Sequence, residues 1–120
     1  KLSGQRCVSS GRILIHRDLY KKFCKDFTQR AKRLVIGAPL VKDLRTDELF
    51  AHPDADYGAL ISAGQLKRVE RYNQMVIDDP EAKVLLKAKT LDGPGNFITP
   101  LVIPSTTLYV SITILTMGWR

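Results

Sequence analysis

Tyr20, Phe23, Phe27, Ala31 and Leu34 recur every three or four positions, and Arg17, Lys21, Lys22, Lys25, Lys32 and Arg33 fill the positions between them. That spacing predicts one amphipathic helix, with an aromatic stripe towards a core and bases outward. Immediately before it, Arg12-Ile13-Leu14-Ile15-His16 is short, apolar and β-branched, which predicts a buried strand. Asp18 stands where an N-cap belongs, and Gly37 with Pro39 predicts the helix stop. Residues 1–11 are small and polar, so the first unit reads as loop, strand, helix.

The rest of the chain is less regular. Residues 41–57 mix five acids with His52-Pro53, hold no sustained period and read as an exposed loop. Ser62 and Gln65 have the spacing of a capping box, and Leu66, Val69, Tyr72 and Val76 continue at helical spacing until Asp78-Asp79-Pro80. Val84-Leu85-Leu86 predicts a second strand. Asp92-Gly93-Pro94-Gly95 is turn chemistry, and residues 97–103 form an extended run broken by Pro100. From Pro104 to Met117 nothing is charged, and Leu108, Val110, Ile112 and Ile114 alternate with their neighbours as a strand would.

With 120 residues, 44% hydrophobic and 26% charged, the chain has one domain's worth of ordinary globular composition. No run of 18 uncharged apolar residues exists and no apolar leader opens the chain, so neither a membrane span nor a signal peptide is expected. Two cysteines make no disulfide scaffold, and no Cys/His set has zinc spacing; reduced, intracellular thiols and no metal are expected. The formal charge of +7 is uneven: residues 1–33 hold ten bases and two acids, the remainder nine bases and ten acids. That basic excess reads as the wet side of the first helix, with a polyanion or acidic partner as the alternative.

Cys7 is the first candidate for chemistry, because it sits in a glycine-flanked polar segment beside Arg6, and a nearby cation lowers a thiol's pKa. A small buried apolar cysteine is the competing reading. Cys24 falls in the amphipathic helix and reads as packing. His16 and His52 have no partner at a diagnostic spacing and read as strand-end or loop residues. Gly93-Pro94-Gly95 lacks both the spacing and the following helix of a phosphate loop. The acids of residues 41–57 are scattered and read as solvated.

Gly4-Gln5-Arg6-Cys7 resembles the nucleophile motif of the aldehyde dehydrogenase superfamily. The segments that follow resemble that family's consecutive landmarks: the strand at residues 12–16, the helix opening at Asp18, Ile36-Gly37-Ala38-Pro39-Leu40, Tyr57-Gly58-Ala59-Leu60-Ile61-Ser62, and Gly95-Asn96-Phe97-Ile98-Thr99-Pro100. Together they cover residues 3–103. Arg6, Gly58-Ala59-Leu60-Ile61-Ser62 and Thr99-Pro100 look most like succinylglutamate semialdehyde dehydrogenases, which implies a place in arginine catabolism.

The resemblance implies an α/β fold, a partial three-layer αβα catalytic domain over residues 1–103, with an off-pattern tail at 104–120. It implies an oxidoreductase that takes an aldehyde and NAD or NADP; a cytoplasmic location is expected with the reduced thiols, and a homo-oligomer from the unpaired sheet edges of a truncated domain and its uncharged tail. Cys7 would attack the aldehyde to give a thiohemiacetal, hydride would pass to the nucleotide, and water would hydrolyse the thioester. The Cys7 backbone N–H would be one oxyanion donor. Arg6 would hold the distal carboxylate of an acidic semialdehyde, or else pair with a protein acid or face solvent. The family's dinucleotide-binding half, its glutamate base and its E-x-F-G-P segment have no counterpart in these residues, so a catalytic-domain fragment without activity of its own is expected. Two other classes stay open: a non-catalytic assembly domain using the apolar tail and an open sheet edge, and a basic polyanion-binding module.

Overall fold

A computed structural model describes residues 3–5, 12–38, 40–42, 45, 49–51, 54–105 and 111–115. The helices α1 (Arg17–Lys32) and α2 (Ala63–Ile77) are joined by strands β1 (Arg12–Leu14), β2 (Leu40–Lys42), β3 (Leu49–Ala51), β4 (Leu101–Ser105) and β5 (Ser111–Leu115). β1, β5 and β4 form an antiparallel sheet in that order, and β2 pairs with β3 as a separate hairpin.

The first unit is strand then helix, with three corrections. β1 is not buried: Leu14 is 67% exposed, because β1 lies at the edge of the sheet and pairs only with β5 among the described residues. The N-cap of α1 is His16, whose Nδ1 accepts from the Asp18 N–H at 3.3 Å, while Asp18 sits in the first turn, where its charge suits the dipole. The helix ends at Lys32, well before Gly37. After Arg33 the chain leaves to pair with residues 56–57: the Asp56 N–H donates to Val35 O (2.8 Å), and the Val35 N–H donates to Asp56 Oδ2 (2.9 Å). Tertiary pairing ends this helix, not the glycine. The bases expected on its wet side, Arg17, Lys21, Lys22, Lys25, Lys32 and Arg33, are all exposed.

The β2–β3 hairpin occupies part of the stretch expected to be loop. Its register, Leu40 opposite Ala51 and Lys42 opposite Leu49, needs only three residues a side, too few for any period to show in sequence. Val84-Leu85-Leu86 is likewise not a strand. Leu85 and Leu86 both donate to Val102 O (2.9 and 3.3 Å), and Val102 donates back to Leu86 O at 2.9 Å, so two residues face one as in a bulge. The next bridge is Thr90 with Ile98. Pro100 has no N–H to offer between these bridges, which breaks the ladder. Thr99 Oγ1 helps to close the gap by accepting from the Lys89 N–H at 2.6 Å.

Around the turn, Gly93 and Gly95 take φ of 111° and 112°, and a Cβ on Gly95 would run into the Phe97 ring. β5 pairs with β4 from Leu101 opposite Leu115 to Ser105 opposite Ser111, so residues 111–115 lie inside the chain's own sheet.

The core has two parts. α1 sets Phe23, Cys24, Phe27 and Ala31 against Val102, Leu85, Leu86 and Ile15, with Phe23 and Phe27 stacked at 5.6 Å. α2 starts as the capping spacing predicts, Ser62 Oγ accepting from the Gln65 N–H at 3.1 Å, and it stops at Asp78. It packs Leu66 and Val69 on Leu60, Ala88 and Ile98. Its buried stripe is rotated from the one expected. Tyr72 lies outside beneath the Arg71 guanidinium, whereas Asn73, four residues after Val69, is only 4% exposed. Among the described residues neither amide atom of Asn73 has a hydrogen-bond partner, and a cavity of about 430 Å³ adjoins it between Ile77, Ala88 and Ile98. A buried unsatisfied polar group costs about 1–3 kcal/mol. Asn73→Leu, which replaces the amide oxygen and nitrogen by two methyl groups with the adjoining cavity to take their slightly larger bulk, should raise the urea midpoint by a gain of that size without changing the slope. A lower midpoint would mean that the amide is satisfied in solution.

Candidate active site

Of the Gly4-Gln5-Arg6-Cys7 tetrad the structure describes Gly4 and Gln5, with Ser3 just before them. Ser3 (φ 53°) and Gly4 (φ 75°) are successive left-handed residues and turn the chain sharply. Ser3 is buried and its Oγ donates to Gly58 O at 2.6 Å. Gln5 uses both ends of its amide: Oε1 accepts from the Ile61 N–H at 2.9 Å, and Nε2 donates to Ala59 O at 3.4 Å. A side-chain amide with this pattern substitutes for a neighbouring strand, so the Ser3 and Gln5 side chains clamp the turn to residues 58–61.

Residues 57–61 are gripped from two more directions. The Gly37 N–H donates to Tyr57 O at 3.2 Å, and Ile36 bridges Tyr57 in parallel. On the other side the Leu60 N–H donates to Asn96 O at 2.8 Å, Asn96 Nδ2 returns a bond to Leu60 O, and the Tyr57 hydroxyl donates to Ile98 O at 3.0 Å. Burial pushes the Tyr57 hydroxyl above its ordinary range, so it stays a donor at any physiological pH. Segments around Gly4, Gly37, Tyr57 and Asn96, spread over more than ninety residues, therefore meet at one strand-like hub.

Cys7 and Arg6 lie outside the described residues. So does His52, along with Asp43, Asp47 and Glu48. Cys24 is a free thiol, half-buried beside Phe23 and Phe27, as expected of a packing residue. Burial first, and then the Cys24 thiol, push the neighbouring Tyr20 hydroxyl up to about 12, so that hydroxyl stays protonated. His16 serves as an exposed helix cap. No group of three His, Cys, Asp or Glu side chains fit to hold a metal occurs among the described residues, and no helix among them is long and apolar enough to cross a membrane.

The described residues do not fit a dinucleotide. The N-terminus of α1 is closed by His16 and carries Asp18, whose charge repels a pyrophosphate, and that of α2 is closed by Ser62. Gly93-Pro94-Gly95 leads into an extended segment, not a helix. The clamp formed by Ser3, Gln5, Tyr57 and Asn96 was not legible as such. Each residue stands inside a landmark segment, but only their pairing partners reveal what the side chains do.

Residues 1–112 match the profile of the aldehyde dehydrogenase family. The chain is similar to the succinate-semialdehyde dehydrogenase [NADP(+)] of Saccharomyces cerevisiae, 33% identical over 109 residues, which cover 88% of this chain and 20% of that protein. It is also similar to the enzyme of the same name from Mycobacterium avium, at 31% over 88% of this chain and 20% of the relative. Aldehyde dehydrogenase family 7 member A1 of Brassica napus is 31% identical over 84% of this chain and 18% of its own length. The chain thus spans about one fifth of the length of the curated relatives it matches. With 112 of its 120 residues inside the family match and the landmark segments joined at one hub, the chain belongs to the aldehyde dehydrogenase family.

Proposed function

We propose that this chain carries the nucleophile segment of an NAD(P)-dependent aldehyde dehydrogenase whose substrate is an acidic semialdehyde. The observation that supports it is the clamp. Ser3 and Gln5 fix the backbone on the approach to Cys7, and they do so against residues 57–61 of another landmark segment. Anchoring the residues just before a nucleophile narrows the geometries from which it can attack, which is where proximity contributes most to rate.

In this reading the Cys7 thiolate adds to the aldehyde carbonyl carbon, the π pair moves to oxygen, and the oxyanion is met by the Cys7 backbone N–H. Arg6 holds the distal carboxylate by a charge-assisted bond. Succinate semialdehyde, after the relatives, and succinylglutamate semialdehyde, after the landmark residues, are the substrates to compare. The oxidation step belongs to NAD or NADP, for which the described residues offer no cradle. A cytoplasmic, self-associating enzyme completes the reading, and the outer edge of β1 has no strand partner among the described residues. That edge is also what favours the second reading, a non-catalytic assembly domain.

Aldehyde protection separates the two. Succinate semialdehyde should shield Cys7 from iodoacetamide, mapped by peptide mass spectrometry, about tenfold better than butanal does, the scale of one charge-assisted bond. Arg6→Gln should erase that difference, and no turnover is expected from the chain alone with either nucleotide. A folded chain in which no aldehyde slows alkylation of Cys7 would leave the assembly reading standing.

A further inference from the structure

The basic face of α1 does not project only into solvent. Lys21, Lys25 and Lys32 of α1, together with Lys83 from the segment after α2, line a single cleft of about 560 Å³. Its floor is apolar, formed by Cys24, Leu85 and Pro104 among others, and among the described residues no acid lines it. Lys22, on the neighbouring flank of α1, is neutralised by Asp26 at 2.6 Å, whereas the four cleft lysines form no ion pair among the described residues. Four ammonium groups with no ion pair among the described residues, set beside an apolar floor, make a site with one sign of charge in its lining and a hydrophobic base. The volume lies within the range of small-molecule pockets.

We propose that this cleft binds a free amphipathic organic anion, a medium-chain aliphatic carboxylate, with the chain along Cys24, Leu85 and Pro104 and the carboxylate among the lysines. Two observations favour that ligand over a nucleic acid: the floor is apolar, and the surface is a short concave cleft with one aromatic, Tyr20, in its lining, where a strand-binding groove would present a series of stacking rings. Lysine stems also suit an apolar ligand, since their methylenes extend the hydrophobic wall while the charged heads stay hydrated. Lys83 is essential to the geometry, because it brings positive charge from a different element to the same cleft.

Cys24 reports occupancy directly. With laurate below its critical micelle concentration but about ten times its dissociation constant, the accessible fraction of Cys24 should fall about tenfold, read as iodoacetamide labelling of the Cys24 peptide in the full chain. Dodecyltrimethylammonium, of equal chain length and opposite charge, should protect little. The exposed pair Lys25→Glu and Lys83→Glu should lose the laurate effect while keeping the wild-type circular dichroism. Equal protection by both amphiphiles would overturn the proposal, as would undiminished protection in the double variant or none in the wild type. Protection by anionic vesicles but not by monomeric laurate would assign the face to a membrane surface and equally overturn it. The readout is Cys24, so it is independent of whether Cys7 is a nucleophile.

Discussion

A chain ended at Ile103 should lose its cooperative unfolding transition and sediment as a mixture of associated species. β5 is the middle strand of the three-stranded sheet, so its removal strands β1 and strips β4 along its whole length. Leu101 and Val102, both fully buried, sit in β4 and face the loss directly, and Val102 also anchors the packing of α1. Deleting one buried aliphatic side chain already costs about 2–5 kcal/mol. Exposing two of them, together with a run of unpaired backbone groups, approaches the whole stability of a domain of this size, about 5–15 kcal/mol. The freed edge of β4 is then a template for pairing between copies. Urea unfolding and sedimentation velocity of the two lengths side by side decide it. A shortened chain that stays monodisperse with an unchanged midpoint would show that residues 111–115 contribute nothing to the sheet.

The role of those residues shows what could be read in advance. The alternation in residues 108–115 announces a strand, and the backbone of residues 111–115 is one. Its position could not be read, because the register that sets Ile112 against both Ile13 and Pro104 is fixed by long-range pairing that no local pattern encodes. Leu108 and Val110 lie outside the described residues. Both helices were legible from their apolar spacing, and the Ser62 cap from its spacing with Gln65. Their errors have one cause. At the end of α1, at Val84-Leu85-Leu86 and at Asn73, a tertiary partner or a rotation of the helix overrode the local signal. A three-residue hairpin such as β2–β3 is below the length at which periodicity speaks.

Family membership was legible from ordered landmarks, and the structure adds the reason those landmarks are near one another. Gln5 illustrates the difference. As a letter it is part of a four-residue motif; in the fold its amide spans the backbone of residues 59–61. The basic first quarter was legible as charge alone. That three of its lysines meet Lys83 over an apolar floor depends on residues fifty positions away.

The clamp by Ser3 and Gln5 matters for function only if the thiol it leads to is activated. Arg6 beside Cys7 should lower that thiol's pKa, and a one-unit drop from about 8.5 raises the thiolate fraction at neutral pH nearly tenfold. Cys24, half-buried in α1 beside Phe23 and Phe27, is the comparison thiol in the same molecule. Alkylation of the two cysteines by iodoacetamide in the folded chain, followed from pH 6 to 9 by peptide mass spectrometry, is therefore the direct measurement. Cys7 should react about tenfold faster than Cys24 at neutral pH, with its rate rising through a midpoint below that of an ordinary thiol. A Cys24 that reacts as fast as Cys7 or faster would remove the physical basis for the nucleophile.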